Sequence, residues 1–241
     1  MGWSYDFWKG NFYPEDLPSA DFLFFYAKRF DTVEVDSTFY RIPRASTVTE
    51  WKQQTPNGFL FSLKFPQKIT HVKMLKDCQE ETRVFLERAS LLEEKRGVLL
   101  LQFPPMFRQQ HFPLLVDYLK TMPSGFRYAV EVRNRSLLNK ELFALLRKSN
   151  VALAWVDAAK MPLVSEVTAD FLYVRWEGDR KAVTGTLAKT ETDRTTDIQA
   201  WAAKLKPSLD QGKPVFGYFS KYYSGYPPSD VTKLLQSVSA T

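Results

Sequence analysis

The chain has 241 residues, a formal net charge of +6 and an isoelectric point near 9.2. Its single cysteine, Cys78, excludes an internal disulfide, and 44% hydrophobic with 25% charged residues is ordinary for a water-soluble globular chain. The longest apolar run, Val98 to Leu101, is far too short to span a bilayer, so no membrane role is expected.

The opening, MGWSYDFWKG, has no basic segment followed by an apolar stretch, which predicts a cytoplasmic protein without a secretory signal. Trp3, Tyr5, Trp8, Phe12 and Tyr13 follow neither a helical nor a strand period and read as an aromatic-rich loop. A helix is predicted from about Ser19, its N-cap, to Phe30. The next stretch, TVEVDSTFYR (Thr32 to Arg41), organises the rest. Val33 and Val35 alternate with Glu34 and Asp36, so a strand would point both carboxylates to one side before a polar turn at Ser37-Thr38 and the aromatic pair Phe39 and Tyr40.

Beyond it, a helix with Thr47 and Glu50 at capping-box spacing covers Ser46 to Gln54, and a strand covers Phe59 to Phe65. A loop bearing Lys68, Thr70, His71 and Lys73 leads to an amphipathic helix from about Asp77 to Lys95, with Gly97 placed to end it. Strands are predicted at Val98–Phe103, Arg127–Arg133, Val151–Asp157, Phe171–Trp176 and Val215–Ser220. Helices are predicted at about Gln109–Met122, Asn139–Ser149, Thr195–Leu209 and Ser229–Ser239, with a Thr-rich loop from Gly178 to Asp193. No repeat or linker interrupts the alternation, so residues 1–241 read as one domain.

Strand and helix alternate at the length of a TIM-type (β/α)₈ barrel, commonly roughly 200–250 residues. Seven strands are clear, and the first is short or missing at the N-terminus. A doubly wound open sheet is the alternative, and no Gly-rich dinucleotide turn supports it. In such barrels the pocket forms where strands finish. That rule collects Glu34 and Asp36, Lys64, Gln102, Glu131 and Arg133, Asp157, Arg175, Tyr218 and Ser220.

Two readings follow. A structural one makes the set a ring of ion pairs plugging the barrel mouth, with Glu34 pairing Lys64 and Asp157 pairing Arg133 or Arg175. A functional one makes it a pocket in which Lys64, Arg133 and Arg175 hold an anion. Glu131 beside Asp157, or Glu34 beside Asp36, would then repel one another and raise one carboxyl pKa into a working range. His71, Tyr5 and Tyr40 complete the set, His71 as a general acid or an exposed side chain and the tyrosines as platforms for a sugar or base. Two histidines and one cysteine do not assemble a usual zinc cluster, and no nucleotide loop or serine elbow is present, so neither metal nor cofactor is expected. The charge, the basic loops at Lys68–Lys73 and Arg180-Lys181, and the aromatics make nucleic-acid binding the rival to a small anionic or sugar-like ligand.

GWSYDFWKGNFYP (Gly2 to Pro14), VEVDSTFYRIP, Thr55-Pro56, FSLKFPQKITH (Phe61 to His71), LLQFPPMF (Leu100 to Phe107), YAVEVRNRS (Tyr128 to Ser136) and TADFLYVRWEG (Thr168 to Gly178) resemble, in order, the domain-of-unknown-function 72 or YecE-like family. The resemblance implies a TIM-type barrel from a biochemically uncharacterised cytoplasmic group, with no established activity. It also implies a short strand ahead of the Gly-Trp-Ser-Tyr block, where this chain has only Met1. It differs in placing Asp36 where the family commonly has Asn, and Ser220-Lys221 where it tends to have Asn-Asn. The expectation is an enzyme of hydrolase or lyase type, with Glu131, Glu34 and Asp157 in acid–base roles. A non-catalytic ligand-binding barrel is a third reading.

Overall fold

Seven strands hydrogen-bond in chain order, every neighbouring pair parallel. They are β1 (Thr32–Val35), β2 (Leu60–Lys64), β3 (Arg96–Gln102), β4 (Arg127–Glu131), β5 (Ala152–Ala158), β6 (Leu172–Gly178) and β7 (Val215–Phe219). The computed structural model describes residues 1–239. Helices α1 (Phe22–Ala27), α2 (Ser37–Tyr40), α3 (Ala45–Gln53), α4 (Gln79–Ser90), α5 (Phe112–Thr121), α6 (Lys140–Lys148), α7 (Thr195–Asp210) and α8 (Pro227–Ser239) fill the connections. The result is a nearly closed α/β barrel. Its strands are apolar on both faces because one face lines the interior and the other meets the helices.

Side-chain parity sorts the core into an inside and an outside. Val98, Leu100, Ala129, Ala152, Ala154, Tyr173, Phe216 and Tyr218 pack together within the barrel. Trp155, Leu172, Val174, Trp176 and Phe219 face the other way, against Ile198, Trp201 and Leu205 of α7. The aromatic opening anchors the wall. Trp8 and Tyr13 are buried, Tyr13 stacks on Phe22 at 4.1 Å, and the Tyr13 hydroxyl donates to the Trp3 carbonyl at 2.5 Å.

β1 and β7 do not pair directly. The gap is tied by the Met1 amine, which donates to the Phe219 carbonyl of β7 at 2.8 Å, and by the Gly2 N–H, which donates to the Glu34 carbonyl of β1 at 2.8 Å. Inside, the Tyr218 hydroxyl lies 2.8 Å from both Thr32 Oγ1 of β1 and Ser62 Oγ of β2.

Several local expectations are corrected. Gly97 ends no helix. It lies within β3 at an irregularity in the β2–β3 register, where a Cβ would sit 2.9 Å from Ser62 Oγ and 3.1 Å from the Phe61 carbonyl. The long fourth helix stops at Ser90 and is followed by a separate turn, Glu93–Lys95, that Glu93 enters at φ +51°. Ser19 begins a 3₁₀ turn without a side-chain cap, and Ala45 rather than Thr47 opens α3, so no capping box forms there. The Lys68–Lys73 loop is a single π-helical turn, Lys68–Val72.

Candidate functional site at the C-terminal end of the barrel

The site is built on one guanidinium. Tyr173, Arg175 and Glu177 alternate with the outward-facing Leu172, Val174 and Trp176, so β6 aims its polar residues inward. Arg175 is buried and forks onto Glu34, its Nε donating to Oε2 at 2.9 Å and its Nη2 to Oε1 at 2.8 Å. Its Nη1 donates to Glu131 Oε2 at 2.5 Å, lies 2.6 Å from Glu177 Oε1, and reaches Gln102 Oε1 at 3.5 Å. The Tyr173 hydroxyl donates to Glu34 Oε2 at 2.6 Å. One cation thus answers three buried carboxylates contributed by β1, β4 and β6. Such a bidentate, charge-assisted pairing is the geometry arginine supplies and lysine does not.

Around this floor stands a more open rim. Arg133 Nε donates to Glu131 Oε1 at 2.8 Å, and its Nη2 lies 3.5 Å from Glu177 Oε1. Lys64 Nζ sits 3.2 Å from Asp36 Oδ1 and 4.7 Å from the centre of the Phe39 ring. The buried Thr38 joins the two strand ends that carry them. Its hydroxyl contacts the Val35 and Lys64 carbonyls at 2.9 Å and accepts the Lys64 N–H at 3.0 Å. His71, on the π turn, has Nδ1 2.9 Å from Thr70 Oγ1 and its ring edge-on to Phe39 at 4.9 Å. Tyr5 donates to the Met1 carbonyl at 2.9 Å, and the Lys221 ammonium lies 5.8 Å from its ring.

The electrostatics separate the floor from the rim. Burial alone would raise the Glu131 pKa, but Arg175 and Arg133 outweigh it and hold the carboxyl down to about 2. Burial likewise opposes ionisation of Asp36, and Lys64 and Arg175 overcome it, so its pKa is lowered. The His71 pKa is lowered too, which for an imidazole favours the neutral form. Burial first, then Arg133 and Lys64, lower its pKa against a smaller pull from Glu131, leaving the imidazole neutral at pH 7. The expected acid–acid repulsion that would raise a carboxyl pKa is therefore replaced by arginine pairing at Glu131.

The structure brings Glu34, Asp36, Lys64, His71, Gln102, Glu131, Arg133 and Arg175 to one end of the barrel. Asp157 does not join them. It stands on the outer face of β5, where its Oδ2 accepts the Trp201 indole N–H at 2.9 Å, while its neighbour Val156 aligns with Arg175. Tyr218 is buried inside the barrel on Ser62 and Thr32, below the rim. Tyr40 is exposed and meets the site only through Phe39, 5.3 Å away. The expected Glu34–Lys64 pair is absent, because Arg175, on β6 beyond the gap, takes Glu34 and Lys64 takes Asp36. Asp36 has also left the strand for the start of α2, so the two acids do not share a strand face.

Glu177 was outside the predicted set because the strand was expected to end at Trp176. The spacing Arg175-x-Glu177 on one face was the available signal. Gly178 follows at φ +67°, and a Cβ there would lie 2.1 Å from the Tyr222 carbonyl. Only glycine lets the loop after β7, carrying Lys221 and Tyr222, press against the end of β6. Among the described residues, no group of three or more His, Cys, Asp or Glu is placed to hold a metal ion, and no helix is long and apolar enough to cross a membrane.

Fold and site together define an α/β barrel whose C-terminal mouth is floored by a buried arginine–carboxylate network. A family model described as "Protein of unknown function DUF72" matches residues 1–241, and the chain belongs to that family. It is 36% identical over 115 residues to the UPF0759 protein YecE of Escherichia coli K12, covering 48% of this chain and 42% of YecE. It is 28% identical over 155 residues to the UPF0759 protein YunF of Bacillus subtilis, covering 61% of this chain and 54% of YunF. The chain therefore spans about half the length of these relatives.

Among solved structures, the DUF72 family protein TM1631 of Thermotoga maritima superposes with a TM-score of 0.79 at 25% identity, covering 99% of this chain and 97% of that one. The DUF72 family protein EF0366 of Enterococcus faecalis gives 0.75 at 22% identity, covering 91% and 94%, a likeness of fold alone.

Proposed function

We propose that the protein is an acid–base enzyme of hydrolase or lyase type. It acts on an anionic or polyhydroxylated small molecule held at the barrel mouth. The observation that carries this reading is the place of His71, held by Thr70 and set against the Phe39 ring that Lys64 also touches, where burial, Arg133 and Lys64 favour its neutral form. Its Nδ1 is fixed by the Thr70 hydroxyl, which leaves Nε2 to exchange a proton with a ligand. Lys64 and Arg133 each keep N–H groups beyond their carboxylate partners, and these would bind an anion and stabilise developing negative charge. Asp36 positions Lys64 and Glu131 positions Arg133, while Glu34 and Glu131, tied to Arg175, do not transfer the proton.

The same geometry weighs against nucleic acid as the ligand. Lys68 and Lys73 share Glu81 at 2.8 Å, and Arg180 lies 3.9 Å from Glu177, so an acid beside each basic loop reduces its positive charge. The test pairs inorganic phosphate binding, followed by the His71 ring proton resonances, with a turnover panel of p-nitrophenyl phosphates and glycosides. Turnover should need neutral His71 and fall as the pH drops below its pKa, and His71→Gln should lower kcat by about 10²–10⁴ with the fold intact. Full activity in that variant removes His71 from the chemistry. Phosphate binding without turnover of any panel member refutes the enzyme reading in favour of a ligand-binding barrel.

A further inference from the structure

Beyond Glu177 the rim continues into a second set of cations that the proposed chemistry does not use. Glu177 lies between two arginines, its Oε1 3.5 Å from Arg133 Nη2 and its Oε2 3.9 Å from Arg180 Nη2. Arg180 and Lys221 come from the loops after β6 and β7 and share one ring. Arg180 Cζ lies 4.8 Å and Lys221 Nζ 5.2 Å from the centre of Tyr222. The Lys221 ammonium is also 5.3 Å from the Phe7 ring and 5.8 Å from the Tyr5 ring. Burial, then Asp36, raise the Tyr5 pKa, which puts that side chain beside the carboxylate that Lys64 binds. The second set therefore adjoins the first on both sides, through Glu177 and through Tyr5.

How these cations are held decides what they can do. Among the described residues the Lys221 ammonium meets three rings and no carboxylate. Glu191, in the loop after β6, spends its oxygens on the Thr184 and Gly185 N–H groups at 2.9 and 2.7 Å and on the Thr184 hydroxyl at 2.8 Å. That loop closes on the lysine stem, since a Cβ at Gly185 would sit 2.9 Å from Lys221 Cγ. An aromatic face attracts a cation weakly at an exposed site, which orients it without cancelling its charge or occupying its donors. A carboxylate in hydrogen-bond contact would do both. Arg180 is exposed, and its one acid partner stands 3.9 Å away. Two like charges set on one ring repel each other, and an anion bound to both removes that repulsion.

We propose that Lys221 and Arg180 form a second anion subsite at the barrel mouth. The substrate class is then a small polyhydroxylated molecule with two separate acidic groups, one held by Lys64 and Arg133 and the other by Lys221 and Arg180. This assignment rests on the reading of Lys64 and Arg133 as the first anion subsite. The carboxylate of Glu177 between the two arginines disfavours a single anion shared by both, so the acidic groups of the ligand must straddle it.

Fructose 1,6-bisphosphate is the probe, with fructose 6-phosphate and inorganic phosphate as its single-anion counterparts, each titrated calorimetrically into the full chain. The bisphosphate should bind about tenfold more tightly than either counterpart, or better. Lys221→Gln and Arg180→Gln should each weaken it about tenfold, toward the monophosphate, and leave the response of the His71 ring resonances to inorganic phosphate unchanged. Lys148→Gln removes the same charge from the last turn of α6, at the other end of the barrel, and should change bisphosphate affinity by less than about twofold. Absent bisphosphate binding, equal binding of bisphosphate and monophosphate, or an equal loss in the Lys148 variant overturns the second subsite. An intact phosphate response at His71 alongside any of these leaves the first subsite standing. A tenfold loss confined to the Lys221 and Arg180 variants upholds the second subsite even where no member of the turnover panel reacts.

Discussion

Arg175 shows how one side chain sets the character of the barrel mouth. A buried guanidinium facing Glu34, Glu131 and Glu177 is balanced only while all partners remain. Arg175→Met would leave three carboxylates together in the interior and should cost about 3–5 kcal/mol, read as a drop in denaturant midpoint. An unchanged midpoint would mean the network contributes nothing to stability. Glu131 carries the pH dependence. Its pKa of about 2 in the folded chain lies below the ordinary 4.5, so its contribution is complete above pH 4.5 and lost as pH falls toward 2. Glu131→Gln should therefore flatten the acid limb of a stability–pH curve; an equally steep limb in the variant would assign acid unfolding to other groups. Most of these residues were legible as strand-end charges. Asp157 misled because it ends its strand, whereas parity against Arg175 makes Val156 the inward residue.

At the scale of elements, α8 docks with a buried acid in its first turn. Burial raises the Asp230 pKa to about 7, and the Ser224 hydroxyl donates to its Oδ2 at 2.6 Å. That hydrogen bond, then Lys233 and Arg194, pull in the opposite direction without overcoming burial. A carboxyl raised from 3.8 to about 7 binds its proton more tightly when folded, so stability declines as pH rises across that interval. Asp230→Asn should gain stability relative to the parent at pH 8 and much less at pH 5, measured by thermal midpoints at both; equal shifts at the two would show that the acid titrates normally. The elements themselves were largely readable, since apolar spacing of three and four placed α4 to α8 and continuous apolar runs placed the strands. Gly97 was misread because a glycine after a helical stretch suggests an end. Its true constraint is the backbone of the neighbouring strand, which lies far away in sequence.

Over the whole molecule, closure depends on contacts that no local pattern encodes. Tyr218 links β7 to β1 and β2 through hydroxyl contacts at 2.8 Å with Thr32 and Ser62. Tyr218→Phe should cost about 1–2 kcal/mol and speed hydrogen exchange in β1 before the rest of the barrel. Uniform exchange in that variant would show that the seam does not depend on this tie. Seven strands and a short or missing first strand were evident from counting. That the gap would be tied by Met1 and Gly2, and lined by Trp8 and Trp176, followed only from the closed shape.

The alternation of apolar strands and amphipathic helices, the parallel barrel and the gathering of charge at the strand ends were determined by the sequence alone. Periodicity and chain reversal act over a few residues and leave their mark there. Which charge meets which was decided by the tertiary structure. Glu34 and Arg175 are 141 positions apart and pair because the curvature of the barrel brings β6 round to within one strand of β1, while Lys64, on the adjacent strand, turns to Asp36. The shift of the histidine and the opposite shifts of Glu131 and Asp230 follow from those distances and from burial, two quantities that exist only once the wall has curved round on itself.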